Sequence, residues 1–422
     1  LVIDGVVPTV SNVTSFVSDG SFKVNDVIPI TVTFTEAVTI SGTPQLTLET
    51  GSSDAVVNYA TGSGGTTLTF YYSVAAGNVS SDLDYVSTSA LALNSGTIND
   101  ANGNAATLTL ASPGASGSLG ANKALVVDGI VATVSSVTST TADGSYKINT
   151  TIPIKVIFSE AVNVTGTPQI TLETGSSDAV VNYASGSGST DLIFNYTVAS
   201  GHTSSDLDYT STTALALNSG TIKDVVGNTS TLTLASPGGT NSLGANKALI
   251  IDTTVPTVAS VTSTSSDGSY KIGDVVPIKI TFSEAVTVSG TPQLTLETGS
   301  SDAVVNYSSG SGGTTLTFNY TVASGHSSSD LDYKATSSLA LNSGTINDAN
   351  GNAATLTLAS PGASGSLGAN KALVIDGVVP TVSNVTSTTS NGTLKVGDVA
   401  AITVTFTEAV TVSGTPQLTL ET

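Results

Sequence analysis

Apolar and polar residues alternate along most of this chain, and this alternation is its main structural signal. In 28–36 the residues Ile28, Ile30, Val32 and Phe34 alternate with polar ones. A period of two places one set of side chains on each face of a β-strand. The segments predicted as strands are 28–36, 45–50, 54–60, 66–74, 106–111 and 123–128. We expect the inward set to be buried and the intervening threonines to be exposed; that inward set contains Ile30, Val32, Phe34, Leu46, Leu48, Leu68 and Phe70.

Clusters of glycine, serine, proline, aspartate and asparagine separate these segments. Examples are SDGS at 18–21, SGTP at 41–44 and DANGN at 100–104. Such clusters are typical of tight turns. About seven to nine short strands joined by polar turns predict an all-β fold, an antiparallel β-sandwich of Greek-key type.

The pattern recurs along the chain. LVIDGVVPTVSNVTS begins at Leu1 and again at Leu373, and close versions begin at Leu125 and Leu249, a spacing of 124 residues. A unit of this size can bury its own core, unlike the short units of a solenoid. We therefore predict tandem Ig-like domains, with a last-strand remnant of a preceding repeat at 1–4, whole repeats at 5–128, 129–252 and 253–376, and a partial repeat at 377–422.

Composition narrows the possible partners. Acidic residues number 31 against 11 basic ones, giving a net charge of −20, and every basic residue is a lysine. Binding to nucleic acid or anionic lipid needs clustered cations, so this balance argues against both and favours a cationic partner. Cysteine is absent, which excludes disulfides and thiolate metal sites. No apolar run is long enough for a membrane-spanning helix, so we expect no membrane insertion in this segment.

The sequence lacks the usual marks of an enzyme. His202 and His326 occupy one repeat position, where the first copy has Asn78. A catalytic base is not interchangeable with asparagine. No phosphate-binding loop, catalytic triad or zinc spacing is present, so no catalytic residue and no cofactor-binding residue is predicted.

Acids that recur in every copy suggest a calcium site. Calcium prefers six to eight carboxylate, amide and carbonyl oxygens. DANGN supplies such oxygens around a glycine turn, the linker aspartates lie where two domains meet, and the SDLDY segment places two aspartates two residues apart. Equally, aspartate and asparagine are ordinary turn formers. The candidate ligands are Asp4, Asp128, Asp252, Asp376, Asp100, Asn104, Asp224, Asn228, Asp348, Asn352, Asp82 and Asp84.

Several longer motifs resemble a known family. GTPQLTLETG, SDLDY, LALNSGTI and SLGANKALV recur and resemble a bacterial Ig-like tandem repeat family of giant secreted and surface proteins, which includes large adhesins and a cyanobacterial surface protein of swimming motility. The resemblance implies tandem β-sandwiches in an extracellular protein. It also implies calcium at domain junctions, with ligands at Asp128, Asp252, Asp376, Asp100, Asp224 and Asp348.

These observations favour a structural extracellular array, a stalk or filament of an adhesin-like bacterial surface or matrix protein. Short linkers and calcium are expected to stiffen it. A self-assembling surface layer is an alternative, and we then expect identical chains or neighbouring repeats as partners. A multivalent glycan-binding module is another alternative, in which each copy binds weakly and the array binds through avidity. Scarce aromatic residues count against glycans as ligands.

Overall fold

The computed structural model describes residues 5–421, in which β-strands predominate. It divides between Thr253 and Thr254 into two compact units. The first unit contains two repeats, and the second contains a third repeat followed by a two-stranded segment. The tandem all-β architecture expected from the alternation is confirmed.

The first repeat contains ten strands and one short helix. Their bounds are β1 Val10–Ser15, β2 Gly20–Lys23, β3 Val27–Ser41, β4 Gln45–Leu48, β5 Ala55–Thr61, β6 Gly65–Ser73, β7 Val79–Ser80, β8 Leu91–Ala92, β9 Thr97–Asn99, α1 Leu119–Asn122 and β10 Leu125–Asp128.

The second repeat has the same order of elements. They are β11 Val134–Ser139, β12 Gly144–Tyr146, β13 Thr151–Thr165, β14 Gln169–Leu172, β15 Ala179–Ser185, β16 Ser189–Thr197, β17 Thr203–Ser204, β18 Leu215–Ala216, β19 Thr221–Asp224, α2 Leu243–Asn246 and β20 Leu249–Asp252.

The second unit repeats this series once more and then adds one hairpin-like pair. Its elements are β21 Val258–Ser263, β22 Gly268–Lys271, β23 Val275–Ser289, β24 Gln293–Leu296, β25 Ala303–Ser309, β26 Gly313–Thr321, β27 Ser327–Ser328, β28 Leu339–Ala340, β29 Thr345–Asn347, α3 Leu367–Asn370, β30 Leu373–Asp376, β31 Val382–Ser387 and β32 Ile402–Phe406.

Two sheets enclose the core of each whole repeat. In the first repeat the larger sheet has the order β1-β3-β6-β5-β4-β8, with β9 on the second half of β3, and the smaller sheet has the order β2-β10-β7. The long strand β3 has different partners along its length. Thr33 in its first half pairs with Thr67 on β6, and Ile40 in its second half pairs with Ile98 on β9. Each whole repeat has its own cluster of buried hydrophobic residues.

One strand pairing departs from the antiparallel prediction. β10 runs parallel to β2, with Leu125 opposite Gly20 and Asp128 opposite Lys23, and antiparallel to β7. The last strand of the repeat therefore inserts between two short strands of the early and middle chain. Because β2 and β10 are far apart in sequence, no hairpin dictates their direction.

The predicted inward residues are confirmed, but two threonines are not where the alternation places them. Ile30, Leu46 and Phe70 are fully buried, as are the other four. Thr31 is only 1% exposed and Thr69 only 8%. Thr31 lies between two neighbouring strands and donates its hydroxyl to the Thr14 carbonyl at 3.2 Å. A small side chain on a central strand is covered by its neighbours even on the outer face.

The segment 106–111 was predicted as a strand and is not one. Its main-chain N–H groups donate to three separate places: Ala106 to Ile98 at 2.9 Å, Thr107 to Pro8 at 2.8 Å and Leu110 to Thr88 at 2.9 Å. No single ladder forms, although Leu110 is buried as the alternation requires. The following turn cluster contains α1, which the sequence did not predict; Ser118 caps it by accepting from the Ala121 N–H at 3.2 Å.

Candidate functional site: the joint between the first two repeats

A five-residue turn near the end of each repeat is braced by its own aspartate. In the second repeat, one carboxylate oxygen of Asp224 accepts from the N–H groups of Val226, Gly227 and Asn228 at 3.0, 2.7 and 2.8 Å. Gly227 has a φ of +97°, a conformation that favours glycine. The other carboxylate oxygen accepts from Asn228 Nδ2 at 2.7 Å. The sequence-predicted ligand Asp224 therefore has both oxygens engaged inside its turn.

The same brace recurs in the other repeats. Asn104 Nδ2 donates to Asp100 Oδ2 at 2.6 Å, and Asn352 Nδ2 donates to Asp348 Oδ2 at 2.7 Å. Burial pushes the pKa of Asp100 up, but hydrogen bonds from Asn104, Asn102 and Gly103 outweigh it and hold that pKa below its ordinary value. Local donors thus keep the Asp100 carboxylate ionised.

Asn228 also joins the second repeat to the first. Its Oδ1 accepts from the Val24 N–H at 2.8 Å, across 204 residues of sequence. Its Nδ2 lies within hydrogen-bond distance of the carbonyls of Asp128 and Ile130, at 3.0 and 3.1 Å. The residue is 3% exposed. One buried carboxamide therefore contacts the first repeat, the linker and its own turn, and we call it the Asn228 clasp.

A carboxylate without a hydrogen-bond partner lies in the same region. Glu160 Oε1 is buried, and it has no hydrogen bond within the described part of the chain. Burial raises the pKa of Glu160, and the negative charges of Asp224 and Asp128 raise it further. The charges of Asp128 and Asp224 therefore repel the charge of Glu160. Glu160 Oε1 has no hydrogen-bond donor within the described residues to offset this repulsion.

A small cleft opens beside the clasp. It has a volume of about 300 Å³, and Lys23, Val24, Val131, Gly227 and Asn228 are among its lining residues. The nearby lysine is engaged within its own repeat, since Lys23 Nζ lies 3.2 Å from Asp26 Oδ1. The charge of Lys23 is therefore shared with Asp26.

The predicted linker ligands differ in their surroundings. Asp4 lies outside the described residues. Asp128 Oδ1 accepts from the Ile130 N–H at 3.1 Å, and Asp376 Oδ1 accepts from the Val378 N–H at 3.3 Å. Asp252 ends β20, opposite Thr203 of β17. Asp128 and Asp376 therefore each use one carboxylate oxygen to fix the start of the linker that follows.

Asp82 and Asp84 lie together but in unlike environments. Asp84 is 8% exposed and accepts from the N–H groups of Tyr85 and Gly114, both at 2.9 Å. Asp82 is exposed. Their Oδ2 atoms lie 3.5 Å (Asp82) and 2.9 Å (Asp84) from the point where a Cβ on Gly120 would stand. Asp84 therefore fixes the turn before α1, and glycine at 120 leaves room for it.

No group of three or more histidine, aspartate or glutamate side chains within residues 5–421 is arranged to hold a metal ion. The turn aspartates are saturated by N–H donors, and Asn228 Oδ1 is occupied by Val24. Within the described part of the second repeat, the buried side-chain oxygens without a hydrogen-bond partner are Glu160 Oε1 and Ser230 Oγ, and of these two groups the glutamate is the acid. Calcium binding stays a prediction. Because the turn aspartates are already hydrogen-bonded, Glu160 is a better candidate ligand than they are.

The sequence indicated Asn228 as a candidate ligand but not as a contact between repeats, and Glu160 was not among the predicted ligands. A signal for Glu160 was present, because glutamate recurs there as Glu36, Glu284 and Glu408 within apolar strand segments. The contact with Val24 could not be predicted from the sequence, because its donor is a main-chain N–H, which nearly every residue type has.

Comparison with known proteins assigns no family. No family model matches the chain, and no curated protein matches it either. One solved structure that it resembles is described as a putative membrane anchored protein from Corynebacterium diphtheriae, with 10% sequence identity over 71% of this chain and 68% of that one. The TM-score of 0.17 is too low to support an argument about fold or function. Among the described helices, none is long and apolar enough to cross a membrane.

Proposed function

We propose that this chain is a structural repeat array, a segment of a stalk or filament on the surface of a bacterium or in its extracellular matrix. The Asn228 clasp is the observation that carries the proposal. A freely jointed pair of domains needs no buried hydrogen bonds between them. Here Asn228, which is 3% exposed, accepts a hydrogen bond from the first repeat, and its Nδ2 lies within hydrogen-bond distance of two linker carbonyls.

The way each repeat is closed also supports a mechanical role. The last strand β10 is paired on both sides, with β2 and with β7, so the chain leaves the domain from the middle of a sheet. Tension on the linker would shear several main-chain hydrogen bonds together. A peripheral last strand would instead peel from the sheet one bond at a time.

The proposal includes calcium binding, but only at the joint between the first two repeats. We infer that a divalent cation would act at the joint through Glu160, with Asp128 and Asp224 contributing charge. The orphaned Glu160 oxygen and the mutual repulsion of the three acids support this. A bound cation would supply the missing partner and neutralise the repulsion.

Extracellular location and contact with identical chains are further parts of the proposal.

Single-molecule pulling tests the mechanical function. The intact chain should unfold in separate steps, one for each whole repeat, each releasing about 400 Å of chain. Separate steps are expected because each repeat has its own buried core. Gradual extension without force peaks would contradict a load-bearing array. Immunogold labelling of intact cells that produce the protein tests the surface location, and label confined to the cell interior would contradict it.

A further inference from the structure

The first repeat carries two exposed aromatic side chains that the other repeats lack. Phe16 is 72% exposed and Tyr71 is 53% exposed. The equivalent residues are Thr140 and Asn195 in the second repeat, and Thr264 and Asn319 in the third. Exposed aromatics in a chain with so few of them point to an interaction surface.

The strand register places both aromatics in one row. Ser15 pairs with Ile30, and its hydroxyl donates to the Pro29 carbonyl at 2.6 Å, so Phe16 follows beside Pro29. Pro29 pairs with Tyr71 on the next strand. The neighbouring residues Ile30 and Phe70 point inward and are fully buried. Phe16, Pro29 and Tyr71 therefore form an outward row about 10 Å long, two strand spacings, which we call the aromatic row.

A polar cleft adjoins the row. Tyr71 lines it together with Asp54, Val56, Asn58 and Ser73, and its volume is about 600 Å³. It forms where β5 and β6 diverge, because their pairing covers only Tyr59 with Phe70 and Thr61 with Thr69. An equivalent cleft of about 610 Å³ lies in the third repeat, where Asn319 replaces the tyrosine. The cleft thus belongs to the repeat, and the aromatic row distinguishes the first copy.

We propose that the aromatic row and its cleft bind a neutral oligosaccharide. Aromatic faces carry partial negative charge and attract the C–H groups on the flat side of a sugar ring. Carboxylate, amide and hydroxyl groups in the cleft can bond to sugar hydroxyls. The row has room for two sugar rings.

Charge selects among the possible glycans. The chain has a net charge of −20. Thr31 on the outer face of the first repeat replaces the lysines found as Lys155 and Lys279 in the others. A polyanionic glycan would meet repulsion without a compensating cation there. The expected ligand is therefore an uncharged hexose chain.

Saturation-transfer NMR on the intact chain tests this, with cellotriose and maltotriose as neutral probes and trigalacturonate as the anionic one. We expect saturation transfer to a neutral trisaccharide and none to trigalacturonate. The variant F16T/Y71N, which carries the residues of the third repeat, should weaken binding about tenfold or more. The reverse variant T264F/N319Y should add a second site. These substitutions exchange residues that the repeat already accepts, so loss of folding is not expected.

Three results would overturn the proposal. The first is no transfer to either neutral probe. The second is equal transfer in wild type and F16T/Y71N, which would place binding elsewhere. The third is dimerisation of the wild type that F16T/Y71N abolishes, which would assign the aromatic row to a second copy of the chain. None of these results bears on the force peaks expected for the array, so the two proposals fail independently.

Discussion

At the scale of single residues, this molecule uses acids mainly as acceptors for its own backbone. Asp224 receives three N–H groups and a carboxamide, and Asp84 receives two N–H groups. Glu36, Glu160 and Glu408, which share one repeat position, differ from these aspartates, because each has a buried oxygen without such a donor in the described part of the chain. The joint therefore contains one residue whose charge opposes folding.

The variant Glu160→Gln, measured in the presence of a calcium chelator, tests whether the charge of Glu160 destabilises the fold. The raised pKa of Glu160 means that the folded protein binds the proton more tightly than the unfolded chain does. Stability therefore falls as pH rises from the ordinary glutamate range through the raised pKa, and the loss is complete above that pKa. We expect Glu160→Gln to raise the free energy of unfolding by about 1 kcal/mol at pH 7 and to have little effect at pH 4.

The same variant tests the calcium proposal. Calcium should raise the melting temperature of the wild type, by an amount that grows with its concentration above Kd. It should leave Glu160→Gln unchanged. Glu36→Gln is the matched control, because Glu36 also has a buried oxygen without a hydrogen-bond partner in the described residues. It should keep the response, because Asp128 and Asp224 act on Glu160. A calcium response that survives in Glu160→Gln would exclude this residue as a ligand, and identical melting with calcium and chelator would refute calcium binding.

Gly244→Ala tests the close packing of α2 against Asp208. A Cβ there would lie 3.0 Å from Asp208 Oδ2, which the Gly238 N–H holds at 2.8 Å. Alanine is the better helix former by about 1 kcal/mol, so an open site would be stabilised. We expect instead a loss of about 1–3 kcal/mol because the carboxylate cannot move away freely. Gly392→Ala, at a site with nothing within 4 Å, is the control in urea denaturation; an equal or stabilising effect at both sites would contradict the packing argument.

At the scale of elements, alternation predicted the strands that belong to regular ladders. β3, β4 and β6 were predicted because each has one buried face, and their inward residues are buried. The segment 106–111 has the same alternation, yet its N–H groups find three different partners. A pattern of burial cannot distinguish a ladder from an irregular segment that also buries every second residue.

Two other features of the elements were beyond prediction from the sequence. The direction of β10 depends on contacts with β2, more than a hundred residues away. The short helix α1 has only one buried residue, Leu119, so it leaves no helical period in the sequence. The all-β class and the core were therefore predictable, while the way each repeat is closed was not.

Tyr209→Phe tests how the irregular segment of the second repeat is held. The Tyr209 hydroxyl donates to the Ala235 carbonyl at 2.7 Å, and Tyr209 is 1% exposed. Without that donor a shielded carbonyl loses its partner, and we expect a loss of about 1–2 kcal/mol in urea denaturation. Tyr183→Phe is the control, because its hydroxyl only accepts from the exposed Ser187 N–H. Equal effects of both variants would contradict the special role of this bond.

At the scale of the whole molecule, the repeats have separate cores but are joined by specific contacts. Each whole repeat has its own buried core. The Asn228 clasp then couples the first repeat to the second through a buried side chain. Sequence predicted the repeats and drew attention to Asn228, but the coupling depends on Val24, whose main-chain donor no residue type could reveal.

The distance distribution between spin labels on the first two repeats tests this coupling most directly. The chain has no cysteine, so labels at Ser52→Cys and Ser176→Cys are unique, and both positions are exposed. We predict one narrow distribution for the otherwise unchanged chain and a clearly broader one after Asn228→Ala. Asn104→Ala is the matched control, since its described bonds to Asp100 lie within its own turn, and it should leave the distribution narrow. A distribution already broad before Asn228→Ala, or unchanged by it, would contradict a joint held by this clasp.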